Sequence, residues 1–403
     1  MMLRARQTPT RAMATVVLLA VVALVVLGQL TVWIPIAALV ARTYGRPPAG
    51  TVATGWAFGI AMAVGVLVTG PAADRYGRRP VLLVGLVALA MTSLAAGAAP
   101  TWPVHLAARA AQGLAAASVP PVAITWASEA LPTARRAFGV AIVITAMQAA
   151  TPVGQLYGQV VAAAGGWRAV HASLAAVYLL AAVGLRRRLT DTLVTDPAAA
   201  QAERPGRITG QLLGLLGVQP LRACWLLSGL QPGALVAMYA GLQSQLPAVS
   251  SAPADLLVTV RAAGLAGILA ALPLLRVLEG LAPRGQALVG VGVAAVGLLG
   301  QTLASNPGPL VIGSMLVAIG LPLTMSPLAS MIAQFAPTAR ASALAVQSTV
   351  IYLGVSAGAA AAGRLGYATL CIAATLAVAV GALLLVLTVP APAGAPAVHG
   401  GHQ

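Results

Sequence analysis

Apolar residues in this chain run in long blocks instead of alternating with polar ones. A helix that crosses a membrane needs about 20 mainly apolar residues. Blocks of that length recur at 14–41, 50–72, 80–100, 103–128, 137–163, 167–186, 220–246, 255–276, 286–304, 309–333, 341–363 and 366–389. The breaks carry Pro, Gly or Arg, as at Arg46-Pro47-Pro48, Arg135-Arg136, Gly165-Gly166 and Asn306-Pro307. The pattern predicts an all-α integral membrane protein with twelve transmembrane helices. The first block follows Arg4, Arg6 and Arg11 and is too long for a signal-peptide core of roughly 7–15 residues, so it reads as the first membrane helix.

The longest polar stretch, Arg186 to Gln219, holds Asp191, Asp196, Glu203 and Pro205 and divides the helices six and six. The predicted organisation is an amino-terminal segment 1–13, a six-helix bundle 14–186, a linker 187–219 with an amphipathic piece near Ile208–Leu216, a second bundle 220–389 and a disordered tail 390–403. The halves repeat. Leu131-Pro132-Thr133-Ala134-Arg135 follows the fourth block and Ala336-Pro337-Thr338-Ala339-Arg340 the tenth, 205 positions later. The charged island Gly70–Arg79 has a worn counterpart, Arg276–Gly285, after the eighth block. Such spacing predicts two parallel, pseudo-symmetric bundles.

Composition agrees. The 403 residues are 59% hydrophobic and 7% charged, against roughly 25% charged in a soluble domain. The net charge of +16 comes from arginine alone. Those arginines are scattered over short loops, which argues against a nucleic-acid surface. With the amino terminus in the cytoplasm, seventeen arginines fall inside and only Arg42, Arg46, Arg168 and Arg364 outside, while Arg109 and Arg261 lie within helices. That bias predicts a multi-pass protein of the cell (plasma or inner) membrane with both termini cytoplasmic. Cys224 and Cys371 read as small core residues, and His399 and His402 as part of the tail. No cofactor and no metal site is expected. A monomer acting on a small molecule within the bilayer is expected.

Two stretches carry candidate chemistry. In the island, Gly70 suits a tight crossing of backbones and Asp74 can accept hydrogen bonds from a helix amino terminus. Arg75, Arg78 and Arg79 can pair with acids, helix carboxyl ends or lipid phosphates, Gly77 sits between them, and Pro80 suits a first helical turn. In the fourth block, Arg109 is costly in lipid unless it faces water or a partner, or snorkels to the interface. Gln112 and Gly113 share its helix face, and His105 lies one turn before it. Glu129, just before Arg135-Arg136, reads as a loop salt-bridge acid, and Asp255 as an outer-loop acid.

The island fits G-x-x-x-D-R-x-G-R-R, and Arg109–Ala117 fits R-x-x-Q-G-x-x-A-A. Together with the helix pattern, they resemble the major facilitator superfamily, in its twelve-helix proton-linked drug or metabolite efflux type. The resemblance covers the first helix to the last. It implies that the island loop clamps the halves together on the cytoplasmic face, with Asp74 meeting the eleventh helix near Ser342. It implies a role for Arg109, Gln112 and Gly113 in substrate handling or coupling.

Departures from the family pattern narrow this. No Asp or Glu lies deep in a predicted helix, so proton coupling would rest on Asp74, Glu129, Asp255 or a histidine. The helix-five stretch Thr151–Gly158 keeps only the Pro and some small residues of an antiporter signature. A central cavity is expected to draw on Gln29, Trp33, Gln112, Gln148, Gln155, Gln231, Tyr239, Gln243, Met325, Gln347 and Tyr352, each serving the substrate or helix–helix hydrogen bonds. Such a lining suits a neutral, amphipathic or anionic molecule. The expected function is alternating-access secondary transport, as proton-coupled efflux or as proton-independent import or facilitation. No nucleophile–base pair or separate catalytic domain suggests an enzyme.

Overall fold

A computed structural model describes residues 9–189, 214–249, 252–337 and 339–390. These fold into helices, with no strand among the described residues. In chain order they are α1 (Pro9–Gly28), α2 (Trp33–Thr43), α3 (Val52–Tyr76), α4 (Arg78–Ala98), α5 (Trp102–Ala116), α6 (Val119–Ala130), α7 (Thr133–Arg188), α8 (Gln219–Val249), α9 (Pro253–Val277), α10 (Pro283–Thr302), α11 (Pro307–Phe335), α12 (Arg340–Ala362) and α13 (Tyr367–Thr388). Among the described residues, ten helices are long and apolar enough to cross a membrane.

Among the described residues, twelve crossings follow once three places are read physically. The first crossing is α1 and α2, interrupted at Gln29–Val32. Pro35 has no N–H to give Thr31, and its ring crowds that carbonyl, so the helix breaks a turn earlier. The fourth is α5 and α6, interrupted at Ala117-Ser118 just before Pro120 and Pro121, residues suited to a helix start. The long α7 is two crossings that meet at Gly166, whose backbone is left-handed (φ 76°). The sequence pattern predicts the Gly166 break but runs the first and fourth blocks through without interruption. The first helix also begins at Pro9, five residues before its predicted start. Asp255 sits in the first turn of α9, where a negative charge suits the helix dipole.

Two large apolar cores form, beside a small cluster of Ala271, Ile319 and Leu323. One is drawn mainly from residues between Ala12 and Leu189 but takes in Val236, Tyr352, Val355 and Ala359, and the other mainly from residues between Leu215 and Val389 with Ala149. The same helix pairings build both. Crossings one and five pack as seven and eleven do, two and four as eight and ten, three and six as nine and twelve. The halves meet along two equivalent lines, α3 against α12 and α9 against the first part of α7. The outside carries large apolar residues, among them Leu180, Val183, Leu376, Val380 and Leu387. A belt of that kind is stable against lipid and unstable in water.

Small residues set the closest approaches. A methyl group added at Gly154 would stand 2.4 Å from the carbonyl oxygen of Gly28, and one at Gly354 would stand 2.2 Å from that of Gly229. The Gly154/Gly158 pair in crossing five thus has a counterpart, Gly354/Gly358, in crossing eleven, each pressed against the first helix of its half.

The predicted linker lies largely outside the described residues, as do His399 and His402 and most of the predicted tail.

Candidate functional site

Arg109 does not snorkel. It is fully buried in the amino-terminal half, held by neutral acceptors. Nη1 donates to Oε1 of Gln112 at 2.8 Å and to Oε1 of Gln29 at 3.1 Å. Nη2 donates to the main-chain oxygen of Gln29 at 3.0 Å. The guanidinium carbon stands 4.6 Å from the centre of the Phe58 ring, within cation–π range. Gln112 Nε2 then donates to Ser93 at 2.8 Å. Gly113 completes the set, since a methyl group there would come within 2.2 Å of the Phe58 carbonyl oxygen. The three residues of the pattern therefore fasten crossing four to crossings one, three and two respectively. Gln29, Ser93, Arg109 and Gln112 are all fully buried in this conformation.

The island forms the end of α3 and the start of α4. Gly77 is the corner, with φ 91° and ψ 148°, a conformation that residues with a Cβ avoid. Arg78 is ion-paired with Glu129 at the end of α6. Glu129 is thus a salt-bridge acid, as the sequence suggests, but it stands in the last turn of α6 and its partner comes from the start of helix three. Arg79 Nη2 donates to the carbonyl of Arg186 at 3.0 Å, in the last turn of α7. Its repeat counterpart does the same in the other half: Arg284 Nη1 donates to the carbonyl of Val389 at 2.6 Å, at the end of α13. Free carbonyls at a helix carboxyl end favour such cations. Arg75 lies over the Tyr76 ring at 5.3 Å. Gly70 is a correction. A Cβ there would meet nothing within 4 Å, so no tight crossing of backbones requires it. Asp74 belongs to the last turn of α3, and its side chain lies outside the described residues.

The expected cavity residues divide by location. Gln29 belongs to the Arg109 network, and the Trp33 indole covers Gly55 of α3. Tyr239 shares a hydrogen bond with Ser314 at 2.9 Å, and Gln347 donates to Ser228 at 3.0 Å, both inside the carboxyl-terminal half. Gln231 is buried and Gln148 half-buried, each with Oε1 lacking a hydrogen-bond partner. Met325 and Tyr352 are buried, Tyr352 against the core of the other half. Gln155 and Gln243 reach across between halves. A cleft of about 330 Å³ at the rim between α3 and α12, lined by Trp56 and Arg364 among others, includes none of these residues.

Between the halves runs a polar seam. Arg261 of α9 is fully buried and donates through Nε to Oε1 of Gln155 at 3.2 Å and through Nη1 to Oε1 of Gln159. Gln159 Nε2 donates to the Ala254 carbonyl at 2.9 Å, and Gln243 Nε2 to that of Ile34 at 3.4 Å. Nearer mid-membrane, Thr349 donates to the Ala63 carbonyl at 3.2 Å. Apart from the last, these contacts lie toward the face remote from the chain ends.

Sequence reasoning missed Arg261 and Gln159 as partners. The signal was there: an arginine inside an apolar helix, and two glutamines four residues apart on the helix it would meet. It also missed a ring cluster at the remote ends of crossings one, four and six. There Tyr44, Trp102, His105, Trp167 and His171 pack with centroids 5.6–6.0 Å apart. Arg168 lies over Trp167 at 4.8 Å, as expected of a belt at a membrane–water boundary.

No curated protein sequence matches the chain. A family model does match, over residues 18–300, and its description is Major Facilitator Superfamily. That span holds the island, the helix-four pattern and the α7–α9 side of the seam, and exceeds half the chain. Taken with the paired six-crossing halves, it means that this chain belongs to the major facilitator superfamily.

Proposed function

We propose that the protein is a secondary transporter that moves a small organic molecule across the cell membrane by alternating access. The observation that carries this is the seam. Two six-crossing halves touch along α3–α12 and α9–α7, and most of the hydrogen bonds that join them gather at the face remote from the chain ends. The arginine bias assigns the chain-end face to the cytoplasm. The conformation is then one closed to the outside, and rocking of the halves would part the seam. Within this reading the Gly70–Arg79 loop closes the cytoplasmic side in the opposite state. Efflux of drugs or metabolites in exchange for protons is the form proposed, on the pattern Arg109-x-x-Gln112-Gly113.

One observation favours a second reading, import or facilitation without protons. The described carboxylates of Glu129, Asp255 and Glu279 stand at helix ends, and the middle of each described helix lacks Asp and Glu. Transport into vesicles, with and without a pH gradient, separates the two. Proton exchange predicts that an imposed gradient drives accumulation against concentration. Indifference to the gradient sinks it and leaves the second reading.

A further inference from the structure

Arg261 is fully buried, and no carboxylate forms an ion pair with it among the described residues. Its acceptors are two neutral amide oxygens, those of Gln155 and Gln159. Its Nη2 has no hydrogen-bond partner. Gln155 is also fully buried, and while its Oε1 accepts from Arg261, its own Nε2 has no partner. Two donors on adjoining side chains, one of them cationic, are thus sealed away without acceptors. Buried donors left unpaired and buried charges left uncompensated are both unfavourable. Arg109 differs at its terminal nitrogens: Nη1 and Nη2 both donate to oxygens of Gln29 and Gln112 within a single half, and only its Nε lacks a partner.

We propose that the missing acceptor is the carboxylate, sulfonate or phosphate group of an organic anion, and that Arg261 with Gln155 is where the cargo is recognised. This rests on the transporter reading and names its substrate class. A guanidinium fork matches the oxygens of such groups, and the charge-assisted bonds are stronger than those to an amide. The site also ties recognition to movement. Gln155 and Gln159 belong to one half and Arg261 to the other. An anion that takes over the guanidinium donors removes two of the hydrogen bonds that hold α7 against α9 and leaves the one from Gln159 to the Ala254 carbonyl, so the cargo favours the state in which the seam has parted. A ligand shifts such an equilibrium only through a difference in affinity, and competition for one cation supplies it.

The test uses the purified full chain in detergent and its thermal unfolding midpoint. The probes are benzoate, benzenesulfonate and phenyl phosphate, with benzyl alcohol and benzylamine as neutral and cationic counterparts, and sodium chloride and sodium phosphate as inorganic anions. At saturating concentration at least one aromatic anion is expected to raise the midpoint by about 2 °C or more, and the neutral and cationic counterparts are not. Gln155→Glu is expected to raise the midpoint without ligand and to abolish the anion response, because its own carboxylate then neutralises Arg261. Arg261→Gln is expected to lose the response, and if it does not fold, Gln155→Glu alone decides. The proposal is overturned by no anion response in the wild type, by an equal response to benzyl alcohol or to chloride, or by an unchanged response in Gln155→Glu. Vesicle transport that persists without anion binding overturns this site alone. Anion binding at Arg261 in a protein that carries nothing supports the site and overturns the transporter reading.

Discussion

Arg109 Nη2 stands 3.0 Å from the main-chain oxygen of Gln29, at the point where the first crossing interrupts its helix. A side chain from helix four thereby satisfies a carbonyl at the break in helix one. Lys offers one point charge and no fork, so it does not replace the three bonds. Arg109→Gln and Arg109→Lys are both expected to lower vesicle transport about tenfold or more, since a hydrogen bond to a charged group contributes roughly 1.5–3 kcal/mol. Rates close to wild type in Arg109→Lys would contradict this account of the fork.

The two motif glycines are expected to behave oppositely. Gly113→Ala places a methyl group 2.2 Å from a carbonyl oxygen of α3, so the helices must part, and the unfolding midpoint should fall. Gly70→Ala fills open space inside a helix, where Ala is favoured over Gly by about 0.5–1 kcal/mol, and the midpoint should hold or rise. Parallel thermal unfolding of the two variants checks the sign of each.

Asp74 and Glu129 offer a contrast in charge. Glu129→Gln removes the partner of Arg78, but Glu129 is 42% exposed, so the stability cost is expected at about 1 kcal/mol or less. Asp74→Asn is expected to slow turnover with little loss of folding, as a contact made only in the opposite state would require. Initial rates and unfolding midpoints measured on the same preparations separate the two effects. Normal turnover in Asp74→Asn removes the loop from the gating cycle.

The seam should be lockable. Gln159 and Ala254 meet across it near the remote face, and the native Cys224 and Cys371 are buried, out of reach of polar reagents. A short thiol cross-linker applied to the double variant Gln159→Cys with Ala254→Cys is expected to stop transport, and reduction of a cleavable version to return it to the rate of the same variant before bridging. Unimpeded transport with the bridge in place would show that α7 and α9 do not part.

Much of the fold was legible because lipid imposes a simple rule on sequence. A crossing must be apolar for about 20 residues, and that length survives any detail of packing. The breaks inside crossings one and four were less visible, because Gln29–Val32 and Ala117-Ser118 hold few charges. The proline signals were present at Pro35 and at Pro120-Pro121, but an apolar count does not register them. The site was legible by residue type more than by partner. Arg109 and Gln112 stand out as costly in lipid, yet nothing in the chain order says that Gln29, eighty positions earlier, completes them. Arg261 and Gln155 lie 106 positions apart in different halves, and only the packing of α9 on α7 brings them together.

The arginine bonds at Arg79–Arg186 and Arg284–Val389 have a mechanical consequence. Each fastens the hinge after the second crossing of a half to the end of its sixth, so each half is buckled shut like a barrel hoop. Levers work only if they do not bend. Two hooped bodies can tilt against each other while keeping their shape, and the flexing is left to the seam between them.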